Sequence, residues 1–206
     1  MVLGIAMPDL ISGFNRIYKK PIFETESKSR SGRSIKQGVE RHLAVDQIFH
    51  NSPQFKRSVD RIKEILYQAD LQTIQNRVYF LAHVYYEIML DRILIKLYPD
   101  LPVKYYHLLE EIDHSSMNGY FLKLKTEDHN EEFFKRFSAF IKHRYLFSYV
   151  DNDSLVFALC RVYQRISTVE VTLSDQVKLR HTIEEIESYI APLISGIFDE
   201  IKTQLK

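Results

Sequence analysis

At 206 residues the chain has the length of one large domain or two small ones, and with 45% hydrophobic and 27% charged residues it is not a mainly disordered chain. Six glycines and six prolines are too few for the turns of a sandwich or barrel, and a net charge of +1 lacks the basic excess of a dedicated nucleic-acid binder. The single cysteine, Cys160, excludes an internal disulfide and a Cys-rich zinc site, and it fits a reducing compartment.

The opening run from Met1 to Met7 is apolar, but it has no basic leader and Asp9 follows at once, so a secretory signal is not expected. No apolar run is long enough for a membrane span. The expectation is a cytoplasmic protein with no membrane or nucleic-acid partner. A polar, Ser-rich stretch at about 20–34 reads as a flexible loop. Residues 35–51 read as a helix with Val39, Leu43, Val45 and Phe49 on its apolar side. Pro53 ends it and suits the first turn of a helix over 53–68.

Residues 74–98 are apolar nearly all round, the mark of a central helix, and Pro99 and Pro102 break it. Further helices are expected over 102–113, 115–124, 128–147 and 152–169, with Asp151, Asn152 or Asp153 capping the last of these. Thr172 or Ser174 starts a final helix over 174–204, which Pro192 interrupts. No strand pattern stands out. The expected fold is all-α, a single-domain multi-helix bundle over residues 1–206.

Acids and histidines fall within apolar surroundings. His42, Asp46 and His50 repeat every four residues, and each such step turns a helix by only about 40°, so the three share one stripe. His83 and Glu87 repeat the step inside the apolar run 80–90, and Asp91 continues it. Asp9 sits in the short apolar run 7–11. Imidazoles and carboxylates bind divalent metals or move protons, and buried carboxylates need a counter-ion, a metal or hydrogen bonds. About two His–acid pairs at this spacing arise by chance in such a composition; the six found here exceed that. Three of them, His107–Glu111, Glu110–His114 and His181–Glu185, lie in charged segments and read as solvated helix-face pairs. For the others, a metal site and a set of core-satisfying hydrogen bonds both stay open.

Four stretches, spread over residues 3–170, resemble a known family in order. Residues 4–11, with Gly4 and Asp9, look like a G-N-x-x-x-D-F-V segment; residues 35–53, with Gly38, His42, Asp46 and Pro53, look like G-I-x-x-H-R-x-I-D-x-x-T-D-x-x-P. Residues 80–94 look like a V-D-V-x-x-D-H-F-L helix, and residues 145–165 look like W-L-x-x-Y-x-D followed by a Leu and an Arg. The pattern resembles the bacterial acyl carrier protein phosphodiesterases, relatives of the HD-domain phosphohydrolases. This chain departs from it at His83 and Glu87, which stand at two family aspartates, at His50, which stands at a third, at Leu43 for an arginine, and at Ile88 for a histidine.

The resemblance implies hydrolysis of the phosphodiester that joins the phosphopantetheine arm to acyl carrier protein, with Mn2+ or Mg2+ as cofactor. It implies that Asp9, His42, Asp46, His83 and Glu87 hold one or two ions, with Asp46 and His50 catalytic and His50 a further ligand or a proton carrier. Acyl carrier protein is acidic, so its partner should present basic groups. Residues 15–41 carry eight basic and three acidic side chains, and Arg30, Arg33, Lys36, Arg41 and, further on, Arg165 are the expected phosphate or acidic-partner contacts. For Arg165 a simple pairing with an acid is the favoured alternative. Two other readings stay open: hydrolysis of a different phosphate ester, and a degenerate, non-catalytic helical protein-binding scaffold. Cys160, among apolar neighbours, reads as a small hydrophobe rather than a nucleophile.

Overall fold

In the computed structural model the described residues are 1–10, 14–26, 29–124 and 126–205; 84% of them are helical, counting π and 3-10 turns, with 11 α-helices and no strand among them. The α-helices are α1 (Val2–Leu10), α2 (Lys20–Glu24), α3 (Arg30–Asn51), α4 (Pro53–Gln68), α5 (Val78–Leu97), α6 (Asp100–Glu110), α7 (His114–Leu124), α8 (Glu127–His143), α9 (Asn152–Tyr163), α10 (Leu173–Ile190) and α11 (Ile194–Gln204). A π-helical turn (Asn15–Lys19) precedes α2, and 3-10 turns occupy Tyr145–Val150 and Ala191–Leu193. Among the described residues, no helix is long and apolar enough to cross a membrane.

The chain divides into two units, one formed by Met1–Gln47 with Val103–Arg144, the other by Ile48–Pro102 with Tyr145–Lys206. In the first unit α1 and α3 touch through backbone. A Cβ on Gly4 would fall on the Ile35 carbonyl, and one on Gly38 would fall on the Met1 carbonyl, so both positions need glycine. Pro8, which lacks an N–H, sits four residues after Gly4 inside α1. The stretch expected as a loop at 20–34 is helical at both ends. Ser29 explains the early start of α3: its Oγ accepts from the Gly32 backbone N–H at 3.1 Å, the bond of an N-cap. Residues 27 and 28 lie outside the described residues.

Aromatic rings fill the first unit's interior. Tyr18 packs on Phe121 at 5.7 Å, Phe121 on Phe133 at 5.1 Å, and Phe133 on Phe137 at 5.7 Å between centroids. The Tyr18 hydroxyl donates to Asn130 Oδ1 at 3.3 Å, and burial raises its pKa to about 12.

In the second unit α5 is the centre. Residues all round it are buried, among them Leu81, Ala82, Tyr85, Tyr86, Met89 and Ile93. α4, α9 and α10 pack against it and contribute Val59 and Ile62, Leu155 and Leu159, and Leu179, Ile183 and Ile186. Each large apolar side chain buried this way contributes about 1.5–3 kcal/mol. Cys160 belongs to this core, and burial pushes its thiol up to about 11.

Two buried polar residues hold the loops of this unit. The Arg92 guanidinium donates to Glu187 Oε2 (2.9 Å), the carbonyls of Tyr149 (2.9 Å) and Val150 (2.8 Å), and Asn152 Oδ1 (2.8 Å), which fastens the 3-10 turn and the start of α9 to α5. Asp175 is fully buried and accepts from the backbone N–H groups of Gln72 (3.0 Å) and Thr73 (2.6 Å) and from the Thr73 hydroxyl. Those bonds commit residues 72–73 to a loop, and Arg77 then takes a left-handed φ of 61°, so α5 starts at Val78 rather than at 74. Likewise Arg144 (φ 46°) ends α8 at His143, short of the expected 147. The helix expected over 152–169 stops at Tyr163.

Candidate metal centre

The end of α3 and the middle of α5 bring three metal-ligating side chains together within the second unit: His50, His83 and Glu87 each offer one ligand atom, all within 4.8 Å of one another. His83 and Glu87 are one turn apart on α5, with Nε2 to Oε1 at 3.1 Å. His50 comes from α3, and its Nε2 lies 3.5 Å from the same Glu87 oxygen. Both imidazoles thus address a single carboxylate oxygen.

Local sequence explains the placement. Ser52, in extended backbone, caps α4 by accepting from the Phe55 N–H at 3.0 Å, and Pro53 occupies its first turn, so a new helix starts two residues after α3 ends. In that first turn Phe55 packs on both imidazoles. Its ring meets His50 at 4.7 Å and 88°, and His83 at 4.9 Å and 79°. Phe49 flanks His50 at 5.2 Å and stacks on Tyr86 at 5.7 Å. The imidazole planes are therefore held by packing. The polar ends stay accessible: the side chains of His50, His83 and Glu87 retain 26%, 29% and 41% of their exposure. Three protein donors with a solvent-facing side are the pattern of a catalytic rather than a closed structural metal site.

The donor chemistry fits a divalent ion. With metal–ligand distances of about 2.1 Å, adjacent donors on one ion stand about 3.0–3.4 Å apart, depending on coordination geometry. The two nitrogen–oxygen separations at Glu87, 3.1 and 3.5 Å, are close to that before any ion is added.

The other expected site residues lie as follows. His42 and Asp9 belong to the first unit, where His42 Nε2 is 3.8 Å from Asp9 Oδ1, and the Asp9 side chain is largely exposed. The backbone contact of Gly4 with α3 explains this approach, because Asp9 is five residues beyond Gly4 and His42 four beyond Gly38. Asp46 is half-buried on α3, one turn before His50. Arg30, Arg33 and Arg41 are exposed on α3. Lys36 instead donates to the Phe23 carbonyl at 3.1 Å and lies over the Phe23 ring at 5.7 Å. Arg165 is exposed just beyond α9. The role of Phe55 has no counterpart in the sequence reading, since an aromatic three residues after a cap carries no signal of a metal site.

A shallow groove of about 270 Å³ in the second unit includes Gln68, Lys178, His181 and Glu185. Its charges are already matched, Glu185 by Arg61 at 2.9 Å and Lys178 by Asp70 at 3.6 Å, and it shares no residue with the three-ligand cluster. The chain matches no protein-family model, no curated protein and no solved structure.

Proposed function

We propose that the protein is a divalent-metal-dependent phosphodiesterase that resembles the acyl carrier protein phosphodiesterases and acts on the phosphopantetheine ester of holo-acyl carrier protein. The observation that carries the metal part is the convergence of His50, His83 and Glu87 with a solvent-facing side. The phosphodiester and its carrier come from the sequence resemblance, which places His50, His83 and Glu87 at three positions where that family has aspartates.

In this reading Nε2 of His50 and His83 and an oxygen of Glu87 hold the ion. Bound there, a divalent ion supplies Lewis acidity toward a phosphoryl oxygen and acidifies water. Phe55 and Phe49 fix the imidazole planes, so that the donors do not have to reorganise during the reaction. Arg30, Arg33 and Arg41, exposed on α3, offer positive charge to an acidic protein substrate.

The test is incubation of purified protein with Mn2+, Mg2+ or Zn2+ and holo-acyl carrier protein. Release of the apo form, abolished by chelator and by His83→Ala, is the expected result. Metal-loaded protein that leaves holo-acyl carrier protein intact while cleaving another phosphate ester would move the substrate. Loaded protein that cleaves neither would overturn the reading in favour of a binding scaffold, with His83–Glu87 as a structural helix pair.

A further inference from the structure

The donor set at the end of α3 and on α5 also carries information about which ion it takes. Two of its three donors are imidazole nitrogens, and the one carboxylate faces both of them through a single oxygen, Oε1. Imidazole suits zinc, copper, iron and nickel, whereas magnesium and calcium are held by oxygen. Ca2+ takes six to eight oxygen ligands, and Mg2+ is usually bound through carboxylates with its own waters. Among the described residues, this cluster has one carboxylate to offer.

Packing reinforces the choice. Phe55 meets both imidazoles edge-on, and the two imidazole rings stand 4.7 Å apart at 37°. Turning either ring away to let an all-oxygen shell form would break these contacts. The cluster carries at most one negative charge with its imidazoles neutral, so it lacks the charge that compensates a hard cation in carboxylate-rich sites. We propose that His50, His83 and Glu87 form a one-ion site selective for a late first-row transition ion, Zn2+ or Co2+ before Mn2+, and that it discriminates against Mg2+ and Ca2+. The inference deepens the functional reading above and rests on it only in locating the ion where hydrolysis would occur.

The test uses untagged, full-length protein stripped of metal and titrated calorimetrically with Zn2+, Co2+, Mn2+, Mg2+ and Ca2+, with the visible spectrum of the Co2+ form recorded alongside. One ion per chain is expected, bound in the order Zn2+ over Co2+ over Mn2+. No heat is expected from Mg2+ or Ca2+ at millimolar concentration. His50→Ala and His83→Ala should each weaken Zn2+ by more than the roughly 10–100-fold that losing a hydrogen-bond partner of a ligand costs. If either alanine variant fails to fold, Glu87→Gln tests the same point at constant shape. His107→Ala, which breaks the exposed His107–Glu111 pair at 3.2 Å at the end of α6, should leave Zn2+ affinity unchanged.

Equal affinity for Mg2+ and Zn2+, or full Zn2+ affinity in His50→Ala, His83→Ala and Glu87→Gln, would overturn the proposal. The two readings fail separately. Selective Zn2+ binding with no phosphoester hydrolysis removes the proposed function and keeps the ion class. Hydrolysis supported by Mg2+ with no preference for Zn2+ does the reverse.

Discussion

Asp175→Ala is a sharp test of how the second unit is held. The carboxylate is fully buried and receives three donors, the N–H groups of Gln72 and Thr73 and the Thr73 hydroxyl. Alanine leaves all three without a partner. An orphaned buried donor costs about 1–3 kcal/mol; because Gln72 is exposed and its neighbours can reach water, the lower end applies to each, giving about 3 kcal/mol in all. For a chain of this length that lowers the melting temperature by about 6–12 °C. The assay is thermal melting followed by circular dichroism, with Asp199→Ala as control, since its exposed carboxylate pairs with Lys202 at 3.8 Å. The control should stay within about 0.5 kcal/mol of the parent. If Asp175→Ala melts within about 2 °C of the parent, the loop is not anchored by this carboxylate and the account of where α5 begins is wrong.

Other outcomes follow from the same physics. Gly38→Ala drives a methyl group into backbone that cannot move aside and should cost about 1–3 kcal/mol or more, whereas Gly119→Ala, exposed on α7 with nothing near its Cβ, should stabilise by about 0.5–1 kcal/mol; melting temperatures with opposite signs check both. Arg92→Ala removes the donors to Glu187, to the Tyr149 and Val150 carbonyls and to Asn152, while Lys96 keeps its bond to Glu187, and should cost about 2–3 kcal/mol by urea denaturation.

Acid should destabilise the protein through Asp175 and Glu187. Burial alone would raise both carboxyls, but hydrogen bonds from Thr73 and Gln72 to Asp175, with the Lys178 charge, and those from Lys96 and Arg92 to Glu187, outweigh it and hold them below the usual range. Folded carboxyls with depressed values bind fewer protons than unfolded ones. Their stabilisation is therefore complete above the ordinary carboxyl value of about 4 and is lost as pH falls through the folded values. Urea midpoints that stay flat from neutral pH through this acid range would contradict it. Zn2+ at about 100 times its dissociation constant should add about 2.7 kcal/mol to unfolding free energy, reversed by chelator.

Much of the fold was legible because punctuation and periodicity agreed. Pro53 in the first turn marked the start of α4, and Pro192 divides α10 from α11 with one 3-10 turn. Asp151 and Thr172 cap α9 and α10 as their residue types suggest. The misplaced ends have tertiary causes. Leu71 and Ile74 are buried apolar residues that extend the helical pattern of α5, yet Asp175, a hundred residues away, claims the backbone beside them. The contact of Gly4 with α3 has no sequence signature, because two glycines 34 positions apart announce nothing. The same division applies to the site. The His83–Glu87 step was readable from helical spacing, while the arrival of His50 beside it depends on packing around Phe55 that periodicity does not encode.

Anomalous diffraction at the zinc edge from crystals of the Zn2+-loaded protein tests the central claim most directly. The account predicts one strong peak in the second unit, roughly 2.0–2.2 Å from His50 Nε2, His83 Nε2 and a Glu87 oxygen. A peak at Asp9 and His42 with none at Glu87, or no peak at all in loaded crystals, would contradict it.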